Sequence, residues 1–155
     1  MSNGRHHARE LAVQALYQWL LNPQPVDTLI RQALDNEPAG FDVERCRQLL
    51  DGVTAHAADL DIEIARFVDR PVTSLSPVEH AVLLLGAEEL YRHPDVPYRV
   101  VINEAVELAK TFGGTDGHKF VNGVMDKLAA SIRPGELASI RPGELAAKRQ
   151  PASEK

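Results

Sequence analysis

The chain has 155 residues, of which 44% are apolar and 25% are charged, as in one ordinary globular domain. Its formal net charge of -5 argues against a general nucleic-acid-binding protein, whose charge balance is usually basic. The single cysteine, Cys46, excludes an intramolecular disulfide and a cysteine-rich zinc site, and its helical apolar surroundings predict that it is buried.

Helical periodicity runs through almost every long segment of the chain, and no segment shows the sustained alternation of a β-strand. Proline and glycine residues separate most of the predicted helices from one another. The seven predicted ranges are approximately 5–21, 26–35, 41–56, 59–68, 77–93, 99–112 and 115–130. The sequence therefore predicts a single all-α domain over residues 1–130.

The sharpest local signal is the sequence Ser76-Pro77-Val78-Glu79. A serine at the N-cap, a proline at the first helical position and a glutamate at the third form a capping-box pattern. We therefore expect a helix to begin at Pro77.

The C-terminal region contains an unusual repeat. The octapeptide Ser-Ile-Arg-Pro-Gly-Glu-Leu-Ala occupies residues 131–138 and recurs unchanged at 139–146. Each unit is too short to stack a core of its own, so a solenoid is excluded. We interpret residues 131–155 as a flexible tail with a tandem duplication, the alternative being a peptide that docks on a partner.

Several chemistries have no support in the sequence. The six histidines form no His-Glu-x-x-His pattern, no serine lies in a nucleophile elbow, and the glycines at 113–117 have the wrong spacing for a phosphate loop. No enzyme activity, metal or cofactor is therefore predicted. The chain also shows no membrane-spanning run and no signal-peptide core, so we expect a cytoplasmic protein without membrane association.

A first candidate ligand site lies at the start of the first helix. Arg5, His6 and Arg9 fall within about one quadrant of that helix, and Tyr17 lies on the neighbouring strip. Arginine engages phosphates and an aromatic ring stacks on an unpaired base, so this pattern is compatible with single-stranded RNA. The alternative is a solvated helix start with an ordinary surface tyrosine.

A second candidate site is the turn between Phe112 and Phe120. It combines two glycines with a helix start and Lys119, and free amides at a helix start attract anions. Asp116 opposes phosphate binding unless it caps the helix or bonds to base edges. Phe120 is either a core residue or a platform on which a base stacks.

The negative charge is concentrated in one part of the chain. Residues 21–70 carry five basic and ten acidic side chains, whereas the segments on either side are close to neutral. This distribution favours a basic partner or, alternatively, an ordinary solvated surface. Glu79, Glu88 and Glu89 alternate with apolar residues and form either a solvated face or a docking face.

Three blocks of the sequence resemble the NusB family of bacterial transcription antitermination factors. They are RELAVQALYQW at 9–19, DVPYRVVINEAVELAK at 95–110 and HKFVNGV at 118–124. The resemblance covers about residues 5–130. It implies an all-helical fold of about seven helices in two packed subdomains, without catalytic activity.

The resemblance also implies partners. The family pairs with NusE, a small basic ribosomal protein, and the heterodimer binds the boxA element of nascent RNA. The assembly joins other Nus factors on RNA polymerase and suppresses premature termination, notably on ribosomal RNA operons. A homodimer and a helical adaptor that does not bind RNA remain alternatives.

Individual residues follow from this resemblance by position. The implied RNA-binding residues are Arg5, His6, His7, Arg9, Thr115, Asp116, Lys119 and Phe120, and the implied partner-binding residues are Tyr17 and Glu79. The N-terminal segment of the family is richer in arginine, so the two histidines are a departure. They predict weaker phosphate attraction at neutral pH and a dependence of that attraction on pH.

Overall fold

A computed structural model describes residues 2–35, 42–114 and 116–138. Across these ranges the chain forms seven α-helices and a short 3-10 turn, and no strand is present. The helices are α1 (Ser2–Leu21), α2 (Val26–Asp35), α3 (Val43–Ala65), α4 (Pro77–Arg92), α5 (Tyr98–Phe112), α6 (Gly117–Ile132) and α7 (Pro134–Ala138), with the 3-10 turn at Val72–Ser74. The all-α prediction is confirmed.

Helix α3 corrects the predicted boundaries. The two helices predicted at 41–56 and 59–68 are one helix of 23 residues, which begins after Asp42, whose side chain accepts the N–H of Arg45. Alanine, the best helix former, occupies positions 57 and 58, so nothing interrupts the backbone there. Val53, Leu60 and Ile64 continue one buried stripe across the predicted break.

Helix α4 begins where the capping signal predicts. The Ser76 hydroxyl accepts the N–H of Glu79 at 3.1 Å, and Pro77 is the first helical residue. The ten residues from Ala81 to Leu90 are all buried, because α4 packs against α1, α3, α5 and α6. This helix is therefore the centre of the fold.

The other helices form two packed groups around α4. Helices α1, α2 and α3 contact one another, whereas α5 and α6 contact α4 and each other, with α7 against α6. A continuous core of leucine, valine and alanine side chains joins the two groups. Cys46 is fully buried in this core, as predicted, and burial raises the pKa of its thiol to about 11.

The end of the domain lies beyond the predicted boundary at residue 130. Helix α6 continues through Ile132, Arg133 follows as its C-cap, and Pro134–Ala138 form α7. Arg133 of this copy is only 9% exposed, because backbone carbonyl groups of the folded domain accept its guanidinium hydrogens. Residues 131–138 are therefore part of the fold, and the second copy lies outside the described residues.

None of the described helices is long and apolar enough to cross a membrane. Within the same ranges, no three His, Cys, Asp or Glu side chains are grouped closely enough to hold a metal ion.

Candidate RNA and partner interface

Arg9 does not lie on the surface, in contrast to its predicted role as a phosphate contact. Its side chain is 4% exposed, and its Nε and Nη2 atoms donate to the two carboxylate oxygens of Glu89 at 2.8 and 2.9 Å. Burial alone would lower the pKa of Arg9, but the hydrogen bonds and charge of Glu89 raise it above the usual value. In this conformation the guanidinium is occupied by a protein carboxylate and is closed to RNA.

Glu89 is the centre of a buried charge cluster. Besides Arg9, its carboxylate accepts a hydrogen bond from Arg45 Nη2 at 3.2 Å. Glu104 of α5 adds a second carboxylate 3.6 Å from Arg9 Nη1. Glu88 and Glu89 are each 1% exposed, so the interpretation of these residues as a solvated or docking face is wrong. The cluster ties α1, α3, α4 and α5 together.

The two N-terminal histidines face carboxylates on α1 and α5. His6 Nδ1 lies 2.7 Å from Glu104, and His6 Nε2 lies 3.2 Å from Glu10. His7 Nδ1 lies 3.1 Å from the other oxygen of Glu10. The structure thus brings the predicted N-terminal cluster together, but neighbouring acids neutralise much of its positive charge. Arg5 is the exposed cation of this segment.

The contact between His6 and Glu104 predicts a pH-dependent contribution to stability. The hydrogen bond to Glu104 raises the pKa of His6 above its ordinary value of 6.5. Its stabilising effect is therefore complete below pH 6.5 and is lost as the pH rises through the raised pKa. We expect His6→Gln to reduce the free energy of unfolding more at about pH 6 than at about pH 8.

Urea unfolding of both proteins at the two pH values measures this difference. The variant must be compared with the wild type at each pH because His93 gives both proteins a pH dependence of its own. Burial and the charge of Arg45 lower the pKa of His93, so its contribution to stability falls as the pH decreases. Equal losses at both pH values would show that the contact of His6 with Glu104 is not sensitive to protonation.

The second predicted cluster surrounds the start of α6. Asp116 and Lys119 are both exposed and lie 3.6 Å apart. Phe120 is half-buried and packs against the core, and the guanidinium of Arg70 lies 4.7 Å from its ring centre. The Phe120 ring therefore packs against the core and also contacts the guanidinium of Arg70 through its face. Thr115 lies outside the described residues.

Two glycines allow close approaches beside this cluster. A side chain at Gly113 would meet the carbonyl oxygen of Ala109 at 2.6 Å, at the end of α5. A side chain at Gly117 would lie 2.9 Å from Glu79 Oε2. The Glu79 carboxylate therefore lies against the N-terminus of α6, where the helix dipole favours a negative charge.

A groove of about 760 Å³ lies beside α1. Tyr17 and Leu29 line it from α1 and α2, and Val78 and Phe112 line it from α4 and α5. The groove thus brings Tyr17 close to the start of α4, where Glu79 lies, and to the end of α5. Arg5 is twelve residues before Tyr17, about 18 Å along the helix axis, so the N-terminal patch around Arg5 is separate from the groove that Tyr17 lines.

Sequence reasoning missed the charged residues that the fold buries. The burial of Glu89 could have been predicted from its spacing on α4. Glu89 follows Val82 by seven residues and Leu85 by four. That spacing puts the carboxylate on the buried stripe, where a charge needs a partner. Nothing in the neighbouring sequence indicates that these partners are Arg9 and Arg45, which lie 80 and 44 positions away.

These features define an all-helical protein with a buried charge cluster, a groove beside α1 and two small polar patches. The family model described as "NusB family" matches residues 6–130. The chain belongs to the NusB family.

Curated relatives and solved structures agree with this assignment. The transcription antitermination protein NusB of Burkholderia cenocepacia strain HI2424 is 53% identical over 137 residues, which cover 86% of this chain and 93% of the relative. The NusB of Paraburkholderia phymatum is 52% identical over 139 residues, which cover 88% of this chain and 94% of that protein.

Two solved structures share the fold over most of their length. Thermotoga maritima NusB superposes with a TM-score of 0.78 at 28% identity, covering 88% of this chain and 97% of that one. A crystal structure of the antitermination factors NusB and NusE in complex with dsRNA contains a chain with a TM-score of 0.77 at 26% identity, covering 84% and 99%.

Proposed function

We propose that this protein is a transcription antitermination factor that binds boxA-type single-stranded RNA together with a NusE-type ribosomal protein. The observation that carries this proposal is the family match over residues 6–130, supported by a structural neighbour that is described in complex with NusE and dsRNA. The assembly would help RNA polymerase to resist termination, notably on ribosomal RNA operons, together with other Nus factors. Such a protein acts by binding rather than by catalysis, in the cytoplasm.

The exposed cations of the two patches are the proposed RNA contacts. Arg5 and Lys119 are accessible to phosphates, whereas Asp116 offers a carboxylate to base edges. The ring of Phe120 with the guanidinium of Arg70 above it forms a platform for an unpaired base. A chain of net charge -5 holds RNA weakly by itself, so a basic partner would supply the missing positive charge.

The groove beside α1 is the proposed partner surface. Tyr17 lines it with an amphipathic ring, a side chain enriched in protein interfaces. The half-buried Glu79 near its rim adds a negative charge that attracts a basic protein. This surface lies next to the start of α6, so a partner bound there would sit beside Lys119 and Phe120.

Titration of boxA-type RNA with and without NusE tests the proposal. We expect weak binding by the chain alone and a clear gain in affinity when NusE is added. An unchanged affinity would contradict the joint binding of RNA. If no RNA binds under either condition while NusE does, the chain is instead a helical adaptor that does not contact RNA.

Salt dependence tests the individual phosphate contacts. We expect Arg5→Ala and Lys119→Ala each to reduce the slope of log affinity against log salt by about 0.7, the value for one lost contact to single-stranded nucleic acid. Fluorescence anisotropy over a range of salt concentrations measures the slope.

Lys127→Ala is the matched control for Lys119→Ala. Lys127 is an exposed lysine on the same helix, eight residues or about 12 Å further along, and its loss should leave the slope unchanged. If Lys127→Ala flattened the slope as much as Lys119→Ala, the attraction would be diffuse rather than local to the start of α6.

A further inference from the structure

The first octapeptide copy fills a cleft between the end of α4 and the start of α5, which we call the α4–α5 cleft. Its central side chain is Arg133, whose five N–H groups all have acceptors. Four of these are backbone carbonyls, at distances between 2.6 and 3.0 Å, and the fifth is the Glu136 carboxylate at 2.9 Å. The four carbonyls belong to Glu89, Leu90, His93 and Val96.

Three of these carbonyl groups lie at or just beyond the last turn of α4, where the helix dipole is negative and favours a cation. The carbonyls of Glu89 and His93 already accept the backbone N–H groups of His93 and Val96, so the guanidinium adds a second, charged hydrogen bond to each. The first copy therefore caps the C-terminus of α4 from a distance of about 40 residues in sequence.

Glu136 caps the following helix in the same way. Helix α5 begins at Tyr98 after Pro97, which has no side chain that accepts a hydrogen bond. The N–H of Tyr98 donates instead to Glu136 Oε2 at 3.0 Å. The pair Arg133 and Glu136 thus stabilises the end of one helix and the start of the next.

The second copy carries the same side chains. Residues 139–146 repeat residues 131–138 without change, so Arg141 and Glu144 have the same spacing as Arg133 and Glu136. We infer that the α4–α5 cleft is a binding site for an Arg-Pro-Gly-Glu peptide and that the second copy is its alternative occupant. When the first copy leaves, the second docks in its place, and residues 131–138 form a loop between Ala130 and Ser139.

The first copy is the preferred occupant because it requires no loop. It continues directly from α6, and the Ser131 hydroxyl donates to Glu63 at 2.6 Å. Docking of the second copy regains equivalent contacts but must close an additional loop of eight residues, which costs conformational entropy. The duplication therefore provides a second, weaker ligand for the same cleft within one chain.

Substitution of the two arginines, separately and together, tests this inference in the full-length chain. We expect Arg141→Ala to behave like the wild type, because the first copy remains docked. Arg133→Ala should lower the melting temperature by less than half of the loss in the double variant, which we expect to be on the order of 10 °C. Deleting residues 139–146 should leave the melting temperature unchanged but make Arg133→Ala as damaging as the double substitution.

Hydrogen exchange at the Tyr98 amide reports on the cleft itself. We expect Arg133→Ala to keep most of the protection of this amide and the double variant to lose it, on the order of tenfold. If the double variant does not fold, Glu136→Gln and Glu144→Gln replace the arginine substitutions, separately and together. We expect the same pattern of protection at the Tyr98 amide, with smaller losses.

Two results would overturn the inference. One is an Arg133→Ala variant that loses as much stability and Tyr98 protection as the double variant, because the second copy then does not replace the first. The other is a doubling of molecular mass in Arg133→Ala that disappears in the double variant. The second copy would then dock on another molecule rather than on its own chain.

Discussion

Replacing Glu89 by alanine is expected to lower the free energy of unfolding by roughly 3–5 kcal/mol, the range for a buried ion pair that loses one partner. The substitution removes the carboxylate to which the buried Arg9 and Arg45 both donate. Arg45 is already incompletely satisfied, since its Nε atom is buried without a hydrogen-bond partner. Glu104 compensates only in part, because it lies 3.6 Å from Arg9 and also contacts His6.

Urea unfolding of the wild type and Glu89→Ala measures this loss. Glu107→Ala is the control, because Glu107 is 58% exposed and its pair with Lys110, at 3.6 Å, is of a kind that contributes at most about 1 kcal/mol. A loss of less than about 1 kcal/mol for Glu89→Ala would show that water or a rearranged side chain replaces the carboxylate.

Arg9→Ala is expected to destabilise the fold by about 3 kcal/mol while leaving the salt dependence of RNA binding unchanged. The side chain spans the interior between α1 and α4, so its removal leaves Glu89 with Arg45 as its remaining cationic partner. It makes no phosphate contact in this arrangement, because its Nε and Nη2 donors face Glu89.

The salt slope of Arg9→Ala must be measured at a temperature at which the variant remains folded. Arg5→Ala is the matched comparison, since Arg5 is an exposed arginine one helical turn earlier and is expected to flatten the slope without destabilising the fold. A slope flattened by about 0.7 in Arg9→Ala would instead show that the side chain leaves the cluster and reaches a phosphate.

Structural features that depend on residues close together in the chain, such as helix starts, could be predicted from the sequence. The start of α4 follows from Ser76 and Pro77, and the start of α2 at Val26 agrees with the prediction. The prediction of two helices where α3 is one was wrong, and no proline or glycine lies between residues 56 and 59. The helix continues because Leu60 and Ile64 extend the same buried stripe.

The candidate site was predictable only in part. Tyr17, Glu79 and the turn before α6 lie around one groove and its rim, and their roles in binding stay a prediction. Phe120 allowed two interpretations, and the structure shows core packing together with a contact to Arg70, which no local pattern could indicate.

By itself, the sequence determined the all-helical fold, most helix ends and the family, because periodicity, caps and motif order are properties of adjacent residues. Only the tertiary structure decided which charged side chains are buried. Arg9 and Glu89 are 80 positions apart, and Arg133 meets its carbonyl acceptors at separations of 37 to 44 positions. A charge can enter the interior only where a partner satisfies it, and the chain brings such partners together only when it folds.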